Sequence, residues 1–151
     1  MFYHITNSIS DKDYLTILKV LKDHADEIAI VTYYPTADNS DMAIKATLLD
    51  LHTKTEWMKK WPGTISSKKA RVDFYKYNTV SYALLKKSRS LISINQEQTI
   101  DVFFLSNDKC VFYSVIHEDI YVITNPLLAE AFRTLGYTLH KFSGSSSKFF
   151  V

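Results

Sequence analysis

The sequence predicts an α/β domain: a mixed β-sheet of about six strands, with an antiparallel meander in its C-terminal half, covered by about four helices. Three observations lead there. Helix-period and strand-period segments alternate along residues 10–90. Three β-branched or aromatic runs then follow one another between residues 99 and 124, with only short polar stretches between them, which is hairpin spacing. The third is bulk: 46% of residues are hydrophobic, with 10 Tyr and 9 Phe in 151 residues. That is core material for one domain, and a chain of this size buries roughly two thirds of its unfolded surface. Alternation followed by a meander suits helices laid over a sheet of mixed direction.

The elements are read in order. Residues 10–25, SDKDYLTILKVLKDHA, predict a helix. Ser10 caps it, Asp13 stands in the capping-box position, and Tyr14, Ile17, Leu18 and Leu21 make one apolar stripe. Glu27–Tyr34 is a buried strand that Pro35 ends. Ser40 caps a second helix, DMAIKATLLDLHTKTEWMKKW, with Met42, Ile44, Leu48, Leu49 and Leu51 on its buried side and Pro62-Gly63 as its stop. TISSKK reads as a linker. ARVDFYKY alternates and predicts a strand exposed on one side. Thr79 caps a third helix, with Val80, Leu84 and Leu91 on one side and Lys86, Lys87 and Arg89 on the other.

TIDVFFLS, CVFYSVI and DIYVIT are the three strands of the meander, with Asn107-Asp108 as a turn. His117-Glu118-Asp119 sits between two of them and reads as turn chemistry. The last helix has Asn125 as N-cap, Pro126 at its first position and Gly136 just past its end. Leu127, Leu128, Ala131, Phe132 and Leu135 are its expected inner face. YTLHKF is a final strand. The expected organisation is one globular domain over residues 1–142 and a tail over 143–151, either frayed or docked.

Charge is the clearest surface feature. Residues 1–50 carry 8 acids and 4 bases. Residues 52–92 carry ten bases (Lys54, Lys59, Lys60, Lys68, Lys69, Arg71, Lys76, Lys86, Lys87 and Arg89) against Glu56 and Asp73, a local excess of +8. Aromatic residues are interleaved: Trp57, Trp61, Phe74, Tyr75, Tyr77 and Tyr82. Such a face can steer and anchor an acidic protein surface, or bind nucleic acid. Arginine, the usual bidentate reader of bases, occurs there only as Arg71 and Arg89.

Catalytic and metal patterns are missing from the sequence. The single Cys110 excludes an internal disulfide and a multi-cysteine metal site, and its apolar neighbours predict a buried thiol. There is no phosphate-binding glycine pattern among 3 Gly and no HExxH. A nuclease centre combined from Asp73, Lys76, Asp101 and Glu118 fails because Asp73 and Lys76 fall on opposite sides of a strand. No signal peptide or membrane span is evident, so the expectation is a soluble, cytoplasmic protein with no cofactor. Lys outnumbers Arg 15 to 3, a usage that points to an AT-rich bacterial or phage genome.

The C-terminal run carries a resemblance. A strand, a short hairpin, and then a helix opened by Asn125, Pro126, Leu128, Ala129 and Phe132 are similar to the end of phospholipase-D-like effector domains, non-catalytic sensor modules. The resemblance implies a ligand-binding module with a cleft. It does not imply hydrolysis: the family's His-x-Lys-x4-Asp motif would start at His52-Thr53-Lys54, and Lys59 stands in the place of its Asp. The leading expectation is a non-enzymatic protein-binding protein, such as an immunity protein or inhibitor. Its Lys/aromatic face between Lys54 and Arg89 would dock an acidic partner. Ligand sensing and nucleic-acid binding are the alternatives.

Overall fold

The computed structural model describes residues 1–33, 42–87, 100–115, 118–144 and 148–150. Its elements run β1 (Phe2–Ile5), α1 (Asp11–Lys22), β2 (Glu27–Thr32), α2 (Met42–Thr47), a 3₁₀ turn (Leu49–Leu51), β3 (His52–Trp61), β4 (Thr64–Lys76), α3 (Thr79–Lys87), β5 (Ile100–Ser106), β6 (Lys109–Val115), β7 (Ile120–Ile123), α4 (Pro126–Thr134) and β8 (Leu139–Phe142). The α/β class stands. Among the described residues the sheet has eight strands rather than about six, in the order β3-β4-β2-β5-β6-β7-β1-β8. Every pairing is antiparallel, so the sheet is not mixed.

The two extra strands are β1 and β3. β1 has only four residues and slots between β7 and β8. β3 occupies the stretch expected to complete the second helix. That helix stops at Thr47 and gives way to the 3₁₀ turn. Pro62-Gly63 is therefore a hairpin turn, not a helix stop, and TISSKK belongs to the 13-residue β4 rather than to a linker. The strand over ARVDFYKY is buried on both sides from Val72 to Tyr75, because both sheet faces are covered.

The two faces differ in what covers them. One packs under the helices. Tyr14, Ile17, Leu18 and Leu21 of α1, Leu85 of α3, and Leu128, Ala129 and Phe132 of α4 close over Ile28, Ile30, Phe104 and Phe112. The opposite face carries Ala29, Val31, Val72, Phe74, Phe103, Tyr113 and Val122. Its cover comes from the tip of the β3–β4 hairpin and from Phe149 of the tail. The hairpin bends because its register breaks. Met58 pairs with Ala70 and Lys60 with Ile65, which leaves Lys59 facing the four residues Ser66–Lys69. Such a bulge kinks and twists a strand pair. Trp61 then reaches Asp101 of β5, donating from Nε1 at 3.1 Å.

The helix termini follow local chemistry. Ser10 and Asp13 make the reciprocal capping box. Asn125 accepts from the Leu127 and Leu128 amides at 2.9 and 3.0 Å, and Gly136 takes φ +95 after the helix. On α3 the cap is Asn78, not Thr79: it accepts from Val80 N at 2.9 Å and Ser81 N at 3.1 Å. The buried side of α3 is accordingly Ser81 and Leu85, while Val80 is exposed. On α4, Leu127 and Leu135 are exposed and Ala129 is buried. Leu91 lies outside the described residues.

Candidate functional site

The structure places nine of the ten predicted basic residues, and Arg89 lies outside the described ones. Lys54, Lys59 and Lys60 stand on β3, and Lys68, Lys69, Arg71 and Lys76 on β4. All seven are exposed, so one hairpin at the end of the sheet gathers them. β3 is the outermost strand. Lysines on an edge strand also keep two sheets from pairing edge to edge. Lys86 and Lys87 sit apart, in the last turn of α3, where a cation complements the helix dipole. That helix belongs to the other layer, tied to α1 by the Tyr14 hydroxyl donating to Leu85 O at 2.9 Å.

The two acids of the hairpin each pair with one of its bases and with a cation from elsewhere in the chain. Glu56 lies 2.7 Å from Lys148 and 3.7 Å from Lys54. Lys148, above all, holds its carboxyl below the ordinary value. Asp73 is turned inward and only 1% exposed. Thr55 donates to its Oδ1 at 2.6 Å, and Lys45 Nζ and Arg71 Nε each lie 3.1 Å from Oδ2. Burial by itself would raise this carboxyl. The Thr55 hydroxyl, Lys45 and Arg71 outweigh it and hold the group below 3.8. His52 Nε2 approaches Oδ1 at 3.3 Å. The cluster is an ion network around one carboxylate, into which the Thr55 hydroxyl donates.

The aromatic part of the predicted face is mostly interior. Trp61, Phe74, Tyr75 and Tyr77 are buried. Tyr82 is half-buried with Lys22 and Lys86 over its ring at 5.0 and 5.4 Å. Trp57 is the surface aromatic of the hairpin at 53% exposure, and it pairs with Arg71 across the strands.

The nuclease combination does not assemble. Asp73 stands opposite Ile30 on the helix-covered face. Asp101 lies on the other face, where Tyr33, Trp61 and Thr64 donate to its Oδ2. Among the described residues no group of three or more His, Cys, Asp or Glu is placed to hold a metal, and no helix is long and apolar enough to cross a membrane. Asp119 takes φ +54 just before β7, in keeping with a turn at Glu118-Asp119. His117 lies outside the described residues.

Sequence reasoning missed a pocket of about 340 Å³ on the hairpin-covered face. Gly63, Tyr113, Val115 and Val122 form part of its wall, and His4, His140 and Glu118 supply its polar groups. The histidines are 136 positions apart in sequence, and only the β1–β8 pairing brings them together. The available signal was local: each stands two residues from a phenylalanine, Phe2 or Phe142, on the same side of a strand.

No protein family, curated protein or solved structure matches the chain.

Proposed function

We propose that this protein acts without catalysis of its own, by docking an acidic surface of a partner protein onto the β3–β4 hairpin. An inhibitor or immunity protein in a bacterial or phage cytoplasm is the setting. One observation carries the reading. Lys54, Lys59, Lys60, Lys68, Lys69, Arg71 and Lys76 are exposed on a single edge hairpin, against two acids that pair with Lys54 and Arg71 and also with Lys148 and Lys45. Trp57 on the same hairpin offers an anchor of the kind that dominates interface energetics.

The test is a comparative capture from nuclease-treated lysate of the source cell, with three baits. These are the wild type, a hairpin variant (Lys59→Gln, Lys60→Gln, Lys68→Gln, Lys69→Gln) and a helix variant (Lys86→Gln, Lys87→Gln). The expected result is one acidic protein at near-equal stoichiometry on the wild type and helix variant, and its loss from the hairpin variant. The same protein on all three baits would sink the proposal. Retained DNA or RNA in an untreated lysate, with no protein, would move the hairpin to nucleic-acid binding, with its steep salt dependence.

A second reading, ligand sensing, follows from the phospholipase-D-like resemblance of the C-terminal run. The concave pocket beside Tyr113 and Val122 favours it. A thermal-shift screen of small metabolites tests it, and no shift from any compound would remove it.

A further inference from the structure

We propose that His4 and His140 chelate a divalent transition-metal ion, of the Zn²⁺, Ni²⁺ or Cu²⁺ type, in the pocket on the hairpin-covered face. The inference names a ligand class for the pocket of the ligand-sensing reading, and it does not depend on the basic hairpin.

The register supplies the geometry. His4 and His140 are direct partners in the β1–β8 ladder, and both line the same pocket. Direct partners in an antiparallel pair hold their Cβ atoms about 4.5–5.5 Å apart on one face. Imidazole nitrogens bind such metals at about 2.0–2.1 Å, so two nitrogens on one ion stand roughly 3 Å apart. Two rings rooted one ladder step apart can converge to that spacing without moving the backbone.

The pairing also fixes sidedness. Tyr3 and Ile5 of β1 point under the helices, while Phe2 joins the opposite core. His4 therefore shares the face of Phe2, and His140 that of Phe142, which stands opposite Phe2 in the ladder. Tyr113, Val115, Ile120 and Val122 make the rest of the wall largely apolar. Glu118 also lines the pocket.

Imidazole nitrogen selects Zn, Cu and Ni over Mg and Ca, which prefer oxygen. With two protein nitrogens the coordination sphere stays open, and water or a ligand in the pocket completes it. This is the arrangement of a binding site rather than of a structural metal, which takes four protein ligands.

The experiment is a titration of the full, chelator-treated chain with NiCl₂ and ZnCl₂, read by calorimetry and by the shift in Tm. Copper-loaded protein is read in parallel by nitrogen hyperfine splitting in electron spin resonance. Expected is a single site, two nitrogens on copper, and a Tm that rises with metal concentration. His140→Gln is exposed on the edge strand, and its folding is not at risk. It should lose at least the roughly 10–100-fold in affinity that even an outer-shell change costs. His24→Gln and His52→Gln should bind like the wild type. Unchanged affinity in His140→Gln, or in the double variant His4→Gln/His140→Gln, would overturn the assignment. An organic ligand that raises Tm while no metal does would also overturn it, and would leave ligand sensing standing.

Discussion

Asp73 occupies a ladder position opposite Ile30, on the helix-covered face, and holds a charge there. Its carboxylate is retained because Thr55, Lys45 and Arg71 surround it. Asp73→Ala would leave Lys45 at the edge of the core without this counter-ion, and breaking such a pair from one side costs about 3–5 kcal/mol. Because Arg71 is half exposed, the lower end of that range is expected in urea unfolding at neutral pH. The pH dependence has a definite sign. A carboxyl held below 3.8 in the folded state adds stability above that value and loses it as pH falls through the folded value. The stability gap between wild type and Asp73→Asn should thus narrow below about pH 4, and a gap that stays constant down to about pH 2 would show that Asp73 is not so stabilised. Gly63 gives a second residue-scale prediction. It turns the hairpin at φ +85, and a Cβ there would meet the Tyr113 ring at 2.6 Å and Val115 Cγ2 at 2.9 Å. Gly63→Ala combines overpacking with a left-handed backbone, so a loss of about 1–3 kcal/mol is expected. A urea midpoint equal to that of wild type would show that the hairpin tip does not rest on β6.

Whether an element could be read from the sequence depended on how locally it is specified. The cap and apolar stripe of α1 and the two ends of α4 were legible because their signals lie within a dozen residues of one another, although Leu127 and Leu135 of α4 are exposed rather than inward. β3 was not legible. Its sequence, HTKTEWMKKW, is exposed on both sides at most positions, so it carries no period-2 signal, and its lysines are good helix formers. Only pairing with β4 makes it a strand, and that pairing is non-local information. The error carried over to the candidate site. The charge excess was visible in one dimension, but the gathering of seven of its bases on one hairpin depends on β3 being a strand, and the inward turn of Asp73 on the pairing of β4 with β2. The tail is similar. Phe149 packs at 5.0 Å from the Phe103 ring and 6.2 Å from Phe74, and the Cys110 amide donates to its carbonyl at 2.6 Å. Burial pushes the Cys110 thiol well above its ordinary value, so it should resist Ellman's reagent in the native state. Phe149→Ala should speed that reaction by loosening the docked segment. Its stability cost should stay below the roughly 3–5 kcal/mol of a central Phe, since a chain-end segment can detach without unfolding the sheet. An unchanged labelling rate would separate the tail from the protection of Cys110.

At the scale of the whole molecule, a two-faced antiparallel sheet keeps its charges in separate places: seven bases on the end hairpin and Lys86 and Lys87 on the helix layer. The separation makes steering and anchoring distinguishable in a single partner. Exposed lysines act over about 8–10 Å at physiological salt and so act mainly before contact, raising the association rate. Trp57, half exposed and opposite Arg71, has no long-range field, so under the docking proposal it would act only after contact, through the dissociation rate. With a partner identified by capture, surface-plasmon kinetics across a salt series should therefore divide the variants. The hairpin variant, with Lys59, Lys60, Lys68 and Lys69 changed to Gln, should associate more slowly and with a flatter salt dependence. Trp57→Ala should associate at the wild-type rate and dissociate faster, by roughly tenfold or more if it is an anchor worth over about 1.4 kcal/mol. Lys86→Gln/Lys87→Gln should match the wild type in both rates. If the helix variant instead carries the salt dependence, the interface lies on the helix layer, and the hairpin lysines are the edge-strand protection that their position also explains.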